Sequence, residues 1–274
     1  MMRFIFSLLF LSATVHFGFG QIRISNKNLQ IAGERYQKGN IDSAIAYLDS
    51  LRQLPLVKDS MYITLLQIST DLNQRTFHFE GVVKDLEELL SLSPKEEIAL
   101  QNQLGRYKKY VGDYQGAIKV YKRLIELDSN IDITYNNLAS TYNAAGLYKE
   151  TIVLLRADPK RKKLSLENYH LALAYFHVGR IDSAKFFIDK FLKTKEASYD
   201  FLAFKCAAQI YFELGLKKKA CTYIFEANGI LKQAKVEEEI KKQPKRIQEY
   251  PLFTSTLKDI KECKKLKQII CSQP

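Results

Sequence analysis

The chain has 274 residues, 46% of them hydrophobic, which is enough to bury a core and excludes a disordered polyelectrolyte. Its formal net charge of +12 points toward anionic partners. Four cysteines with no C-x-x-C pair and no Cys/His zinc spacing exclude a small metal-stapled domain.

Residues 1–20 read as a secretory signal peptide. Arg3 precedes an apolar run from Phe4 to Leu11, and the small residues Ala13, Gly18 and Gly20 lead to a cleavage point ahead of Gln21. No charge falls between Arg3 and Arg23, so retention as an uncleaved anchor stays open. No cysteine follows the run for lipid attachment, and no later stretch is long enough to span a bilayer. The mature chain is expected to be exported, periplasmic or associated with the cell envelope.

Beyond it the sequence repeats. Gly112, Gly146, Gly179 and Gly215 recur at intervals of 34, 33 and 36 residues. Ala139, Ala172 and Ala208 precede the last three by seven residues, and Tyr142, Tyr175 and Tyr211 by four. Ala117, Ala184 and Ala220 follow Gly112, Gly179 and Gly215 by five, as Ala44 follows Gly39. The stretch from Gly39 to Ala44 nearly repeats that from Gly179 to Ala184. Such a period with paired small residues predicts stacked antiparallel helix hairpins. Each first helix ends at the glycine, which takes the left-handed conformation freely. The second starts two or three residues later, with Asp42-Ser43 and Asp182-Ser183 expected to cap it. The gap between Gly39 and Gly112 holds a degenerate unit, with helices near 59–74 and 79–91 closed by Ser93-Pro94 and no glycine at its turn.

On these residues the chain resembles the tetratricopeptide repeat (TPR) family. The best unit runs from Tyr135 to Asp158, with Tyr135, Leu138-Ala139, Tyr142, Gly146 and Leu155 at the family's positions. Asn168 to Phe191 and Phe204 to Ala227 follow it. Thr151 departs from the pattern where a second small residue is expected, and Tyr36 and Tyr110 are displaced aromatics. The resemblance implies an all-α fold, a right-handed superhelical array of antiparallel helix hairpins (a TPR-like α-solenoid). About six hairpins would fill residues 21–228, and basic capping helices residues 229–274. It also implies a concave groove lined by the first helices. There it places Asn102, Arg106, Lys109, Asn136, Asn137, Ser140, Asn143, Tyr169, His170, His177, Lys205 and Gln209 as partner-binding residues. Asparagine amides can pair with an extended peptide backbone, and the cations can hold carboxylates. The carboxylate clamp of some family members is not matched, because Leu166 and His170 stand where it uses cations.

In the tail, Tyr250-Pro251 marks a break. Phe253, Leu257, Ile260, Cys263, Leu266 and Ile270 then form one apolar helical stripe amid lysines, expected to cap the array's open end. Cys263 and Cys271 would lie about 12 Å apart on a continuous helix, so a bridge needs a bend there or joins Cys221 to the tail, and free buried thiols are the alternative. The basic excess is lopsided. Residues 21–130 carry 15 basic against 14 acidic side chains, and residues 131–274 carry 26 against 16. The excess gathers at Lys160-Arg161-Lys162-Lys163, at Lys217-Lys218-Lys219 and in the tail.

No phosphate-binding glycine loop, His-Glu-x-x-His or Gly-x-Ser-x-Gly motif occurs. Of the histidines, His16 is in the signal, His78 in a turn, and His170 and His177 share one helix face too far apart for one metal. No metal and no cofactor are called for. The expected function is a non-catalytic protein–protein interaction scaffold or adaptor in the cell envelope, taking a protein or peptide in its groove. The alternative is a peripheral component binding anionic lipid or polymer, such as a membrane surface, through the basic C-terminal half. Nucleic acid is set aside, because export separates them and no aromatic stacking platform accompanies the cations.

Overall fold

The computed structural model describes residues 22–92, 98–129, 131–157 and 164–272. The signal segment, the Ser93-Pro94 stop, Asp158 and the Lys160–Lys163 cluster lie outside the described residues. Among them the helices are α1 (Asn26–Gln37), α2 (Ile41–Arg52), α3 (Ser60–Arg75), α4 (Phe79–Leu92), α5 (Ile98–Tyr110), α6 (Tyr114–Leu127), α7 (Asp132–Ala144) and α8 (Tyr148–Arg156). They continue as α9 (Leu166–His177), α10 (Ile181–Phe191), α11 (Phe201–Glu213), α12 (Lys217–Ala234), α13 (Val236–Lys241), α14 (Lys245–Gln248) and α15 (Pro251–Cys271). The only extended pairing among the described residues is an isolated bridge between Ile22 and Leu56.

Two compact units divide the chain within α3, one up to Leu72 and one from Asn73 onward. In the first, α1 packs on α2, with Ala32, Ala44 and Leu48 buried, and the bridge joins Ile22, ahead of α1, to Leu56 beyond α2. In the second, the hairpins α5/α6, α7/α8, α9/α10 and α11/α12 each close on themselves, and α4 packs on α5. Their first helices, α5, α7, α9 and α11, touch in that order and form a row.

The small repeated residues are where the helices meet. Ala117, Ala139, Ala172, Ala184, Ala208 and Ala220 are fully buried. The fourth member of the first-helix set is Gly105 in α5. A Cβ there would meet the Tyr121 ring at 2.6 Å, so the missing methyl is what admits that buried ring. Thr151, at the departure from the repeat pattern, is also fully buried. Its Oγ1 donates to Asn143 Oδ1 at 2.8 Å, so the hydroxyl is satisfied inside the hairpin.

The turns follow the glycine logic with one substitution. Gly39, Gly112, Gly146, Gly179 and Gly215 all have positive φ, and so does Phe77 (φ 57), 35 residues before Gly112. Phe77 therefore plays the glycine's part in the degenerate unit. An L-residue pays roughly 1–2 kcal/mol for that backbone, offset here by its ring packing edge-on against Phe79 and Phe253.

The capping expectation needs correction. Asn40, not Asp42 or Ser43, caps α2 by accepting from Ser43 N at 3.1 Å, and Asp42 and Ser43 lie inside the first turn. Asp182 and Ser183 likewise lie inside α10, whose N-cap Arg180 makes no side-chain cap bond.

The tail does more than cover one end. The stripe buries Ile260, Cys263 and Ile270 against Ala208, Tyr211, Ile224 and Leu231 of α11 and α12. Cys271 is bonded to Cys221 of α12, while Cys206 and Cys263 are free and buried. Burial pushes both free thiols up to about 12, which leaves them inert. At its other end α15 reaches α5. Pro251 sits against Gly112, the Tyr250 hydroxyl donates to Glu80, and Phe253 stacks on Phe79. At about 1.5 Å per residue its 21 residues span roughly 30 Å. It thus runs as a strut between the two ends of the first-helix row.

Candidate functional site

Eleven of the twelve residues expected on the first helices fall into three groups, and His177 stands apart from them. Asn143, Tyr169 and Asn102 are used by the fold. Asn143 is buried, donates through Nδ2 to His170 O at 3.1 Å and accepts from Thr151. Tyr169 is buried in the core between α9 and α10, its ring against Phe191. The Asn102 carboxamide oxygen accepts from Thr134 Oγ1 at 3.2 Å and from Asn137 Nδ2 at 3.5 Å, linking α5 to α7.

Lys205 and Gln209 are already taken by α15. Lys205 Nζ donates to Asp259 and Glu262 at 2.6 Å each, and Gln209 Nε2 donates to Glu262 at 3.1 Å. Burial pulls the Lys205 pKa down, but its bonds to the two carboxylates outweigh that and leave it raised. Asp259 and Glu262 are thus functional neighbours that the sequence reading missed. The available signal was two acids three apart on the edge of the apolar stripe, in an otherwise lysine-rich helix. His177 is exposed and stacks on the Tyr148 ring at 4.2 Å, and it does not join His170.

The remaining residues form a polar floor on α5, α7 and α9. Lys109 Nζ donates to Ser140 Oγ at 3.0 Å and lies 5.6 Å from the Tyr110 ring centre. Burial, with help from the Arg106 charge, lowers its pKa to about 8. Arg106 is exposed and lies over the Tyr107 ring. Asn136 is 6% exposed and His170 5% exposed, yet Asn136 Oδ1 and both His170 ring nitrogens have no hydrogen-bond partner. Burial, and next the Lys109 charge, push the His170 pKa down to about 3, so the ring is neutral. One ring nitrogen then offers a donor and the other an acceptor.

Chemically, this floor can bind but carries no assembled reaction centre. A neutral imidazole, a carboxamide, a hydroxyl and a desolvated ammonium are recognition groups for a polar chain. No nucleophile–base pair is seen among the described residues of this floor. No group of three or more His, Cys, Asp or Glu that could hold a metal occurs among the described residues. No helix of the described residues is long and apolar enough to cross a membrane.

Residues 98–131, the hairpin of α5 and α6, match the family model described as Tetratricopeptide repeat. No curated protein matches the chain by sequence. A solved tetratricopeptide repeat protein from Parabacteroides merdae ATCC 43184 is similar over 89% of this chain and 98% of its own, with TM-score 0.54 and 16% identity. MamA from residue 41 onward, from Desulfovibrio magneticus RS-1, is similar over 62% of this chain and 96% of its own, with TM-score 0.50 and 16% identity. At such identities the likeness is one of fold. The chain has an all-α, tetratricopeptide-like fold, a type of array that supports a protein-interaction scaffold.

Proposed function

We propose that this tetratricopeptide-like chain is a non-catalytic scaffold that holds a protein or peptide segment on the floor made by α5, α7 and α9. The carrying observation is the pair of cations on that floor, Lys109 and Arg106, which have no carboxylate bond among the described residues. They attract an acidic side chain of the partner, and the half-buried Ser140 and Asn137 beside them can pair with its backbone. The site is proposed to work in the cell envelope. The signal-like start of the chain and the Cys221–Cys271 bond, which persists in oxidising compartments, support that location.

The test is capture from an envelope extract, with the mature chain as bait beside its Lys109→Met, Arg106→Gln double variant. A discrete protein retained by the parent and reduced at least tenfold by the variant is the expected result. Equal capture by both removes the floor as the binding site. Retention should also weaken as pH rises through about 8, where Lys109 loses its proton.

A further inference from the structure

A second site lies away from that floor, where α12, α13 and α15 meet. Lys235 turns the chain between α12 and α13, and α13 folds back along α15. The three helices enclose an open hollow of about 520 Å³. Five lysines line it, Lys232, Lys235, Lys241, Lys264 and Lys267, against two acids, Glu237 and Glu238. Glu237 is used twice, accepting from both Lys241 and Lys264. Those bonds and charges hold its carboxyl down to about 2 despite a small opposing effect of burial. Lys232 and Lys235 have no carboxylate partner among the described residues, and Lys267 lies over the Phe225 ring at 4.2 Å. A neighbouring hollow of about 500 Å³ shares Asn228, Lys264 and Lys267 and adds Phe225, which is 50% exposed.

Three lysines without an acid around one concavity repel one another, and a multivalent anion relieves that repulsion while accepting from several ammonium groups at once. A carboxylate supplies one negative charge. A phosphate supplies up to two, with three acceptor oxygens, which suits a ring of separate point donors. We infer that the hollow between α12, α13 and α15 is a binding site for a phosphate-bearing group. The site is independent of the floor on α5, α7 and α9. The exposed Phe225 provides an apolar edge that a lipid headgroup's glycerol region would contact and a free phosphate would not.

The test uses the full mature chain in two arms, pyrophosphate by calorimetry and phosphatidylglycerol vesicles by co-sedimentation. A Lys232→Gln, Lys235→Gln variant changes two exposed lysines of the hollow. A Lys119→Gln, Lys122→Gln variant removes the same charge from exposed positions on α6. Binding in either arm that falls at least tenfold in the first variant and less than twofold in the second supports the site. Pyrophosphate binding identifies a soluble ligand, and vesicle binding alone, weakened further by Phe225→Ser, identifies a lipid headgroup. Equal losses in both lysine variants, or no binding in either arm, overturn it.

Discussion

Asn136 and Lys205 occupy the same place in their repeats, ten residues before Gly146 and Gly215, and they meet opposite fates. Lys205 is held by two carboxylates at 2.6 Å. Asn136 Oδ1 is buried with nothing to accept from. Six residues before the turn the contrast recurs. Gln209 donates to Glu262, whereas the Arg106 guanidinium has only the Tyr107 ring. The repeat therefore fixes where a side chain stands, and what α15 lays over it decides whether it is still available. The α11 end of the row has been completed in cis by the chain's own tail. The α5–α9 floor has been left with its polar groups unmet.

The largest expected effect breaks the completed end. Replacing Cys221 and Cys271 with Ser opens a loop of 50 residues, worth about 4 kcal/mol by loop-closure entropy. Hydrogen exchange should show α15 and α12 losing most of their protection, while amides of α7 and α9 hold theirs. Loss of protection in both regions together would mean that the two ends form one cooperative unit and do not differ in how they are held.

The next effect sharpens the contrast residue by residue. Lys205→Met leaves Asp259 and Glu262 partly buried without their cation and should cost about 3 kcal/mol in urea unfolding. That figure is set at the low end because the two carboxylates keep some solvent contact, with side chains 27% and 39% exposed. Lys109→Met removes a desolvated charge that no acid offsets, so stability should hold or rise while partner capture falls. Equal destabilisation by the two changes would show that Lys109 serves the fold rather than a partner.

Much of this architecture was legible in advance, and the reason is that turns and small residues are local. Gly112, Gly146, Gly179 and Gly215 take the positive φ that their spacing implied, and the α15 stripe buries Ile260 and Ile270 as its periodicity required. The bridge from Cys221 to the tail was one of the options that helix geometry left open. What could not be read was long-range. Nothing local says that Asp259 and Glu262, more than fifty residues beyond Lys205, would close over it. Nor does spacing say that Asn143 would turn inward to Thr151, a pair created by the one unit whose second small residue carries a hydroxyl. Phe77 in a glycine's place was hidden for a related reason. Its strain is offset by Phe253, a residue on the far helix.

The smallest effect concerns the floor alone. His170 is neutral in the fold because burial pushes its pKa down to about 3, whereas an unfolded histidine titrates near 6.5. The unfolded chain therefore binds the proton more readily, so the neutral ring's contribution is complete at neutral pH. It is lost progressively as pH falls below about 6.5, and levels off near 3. At pH 5 the deficit relative to pH 7.5 should be about 2 kcal/mol. The variant His170→Gln should lack that part of the acid sensitivity while matching the parent above pH 7. Parent and variant losing stability in parallel with falling pH would mean that water reaches the ring. The unmet nitrogens would then be satisfied without a partner, and the difference between the two ends of the row would reduce to the presence of α15.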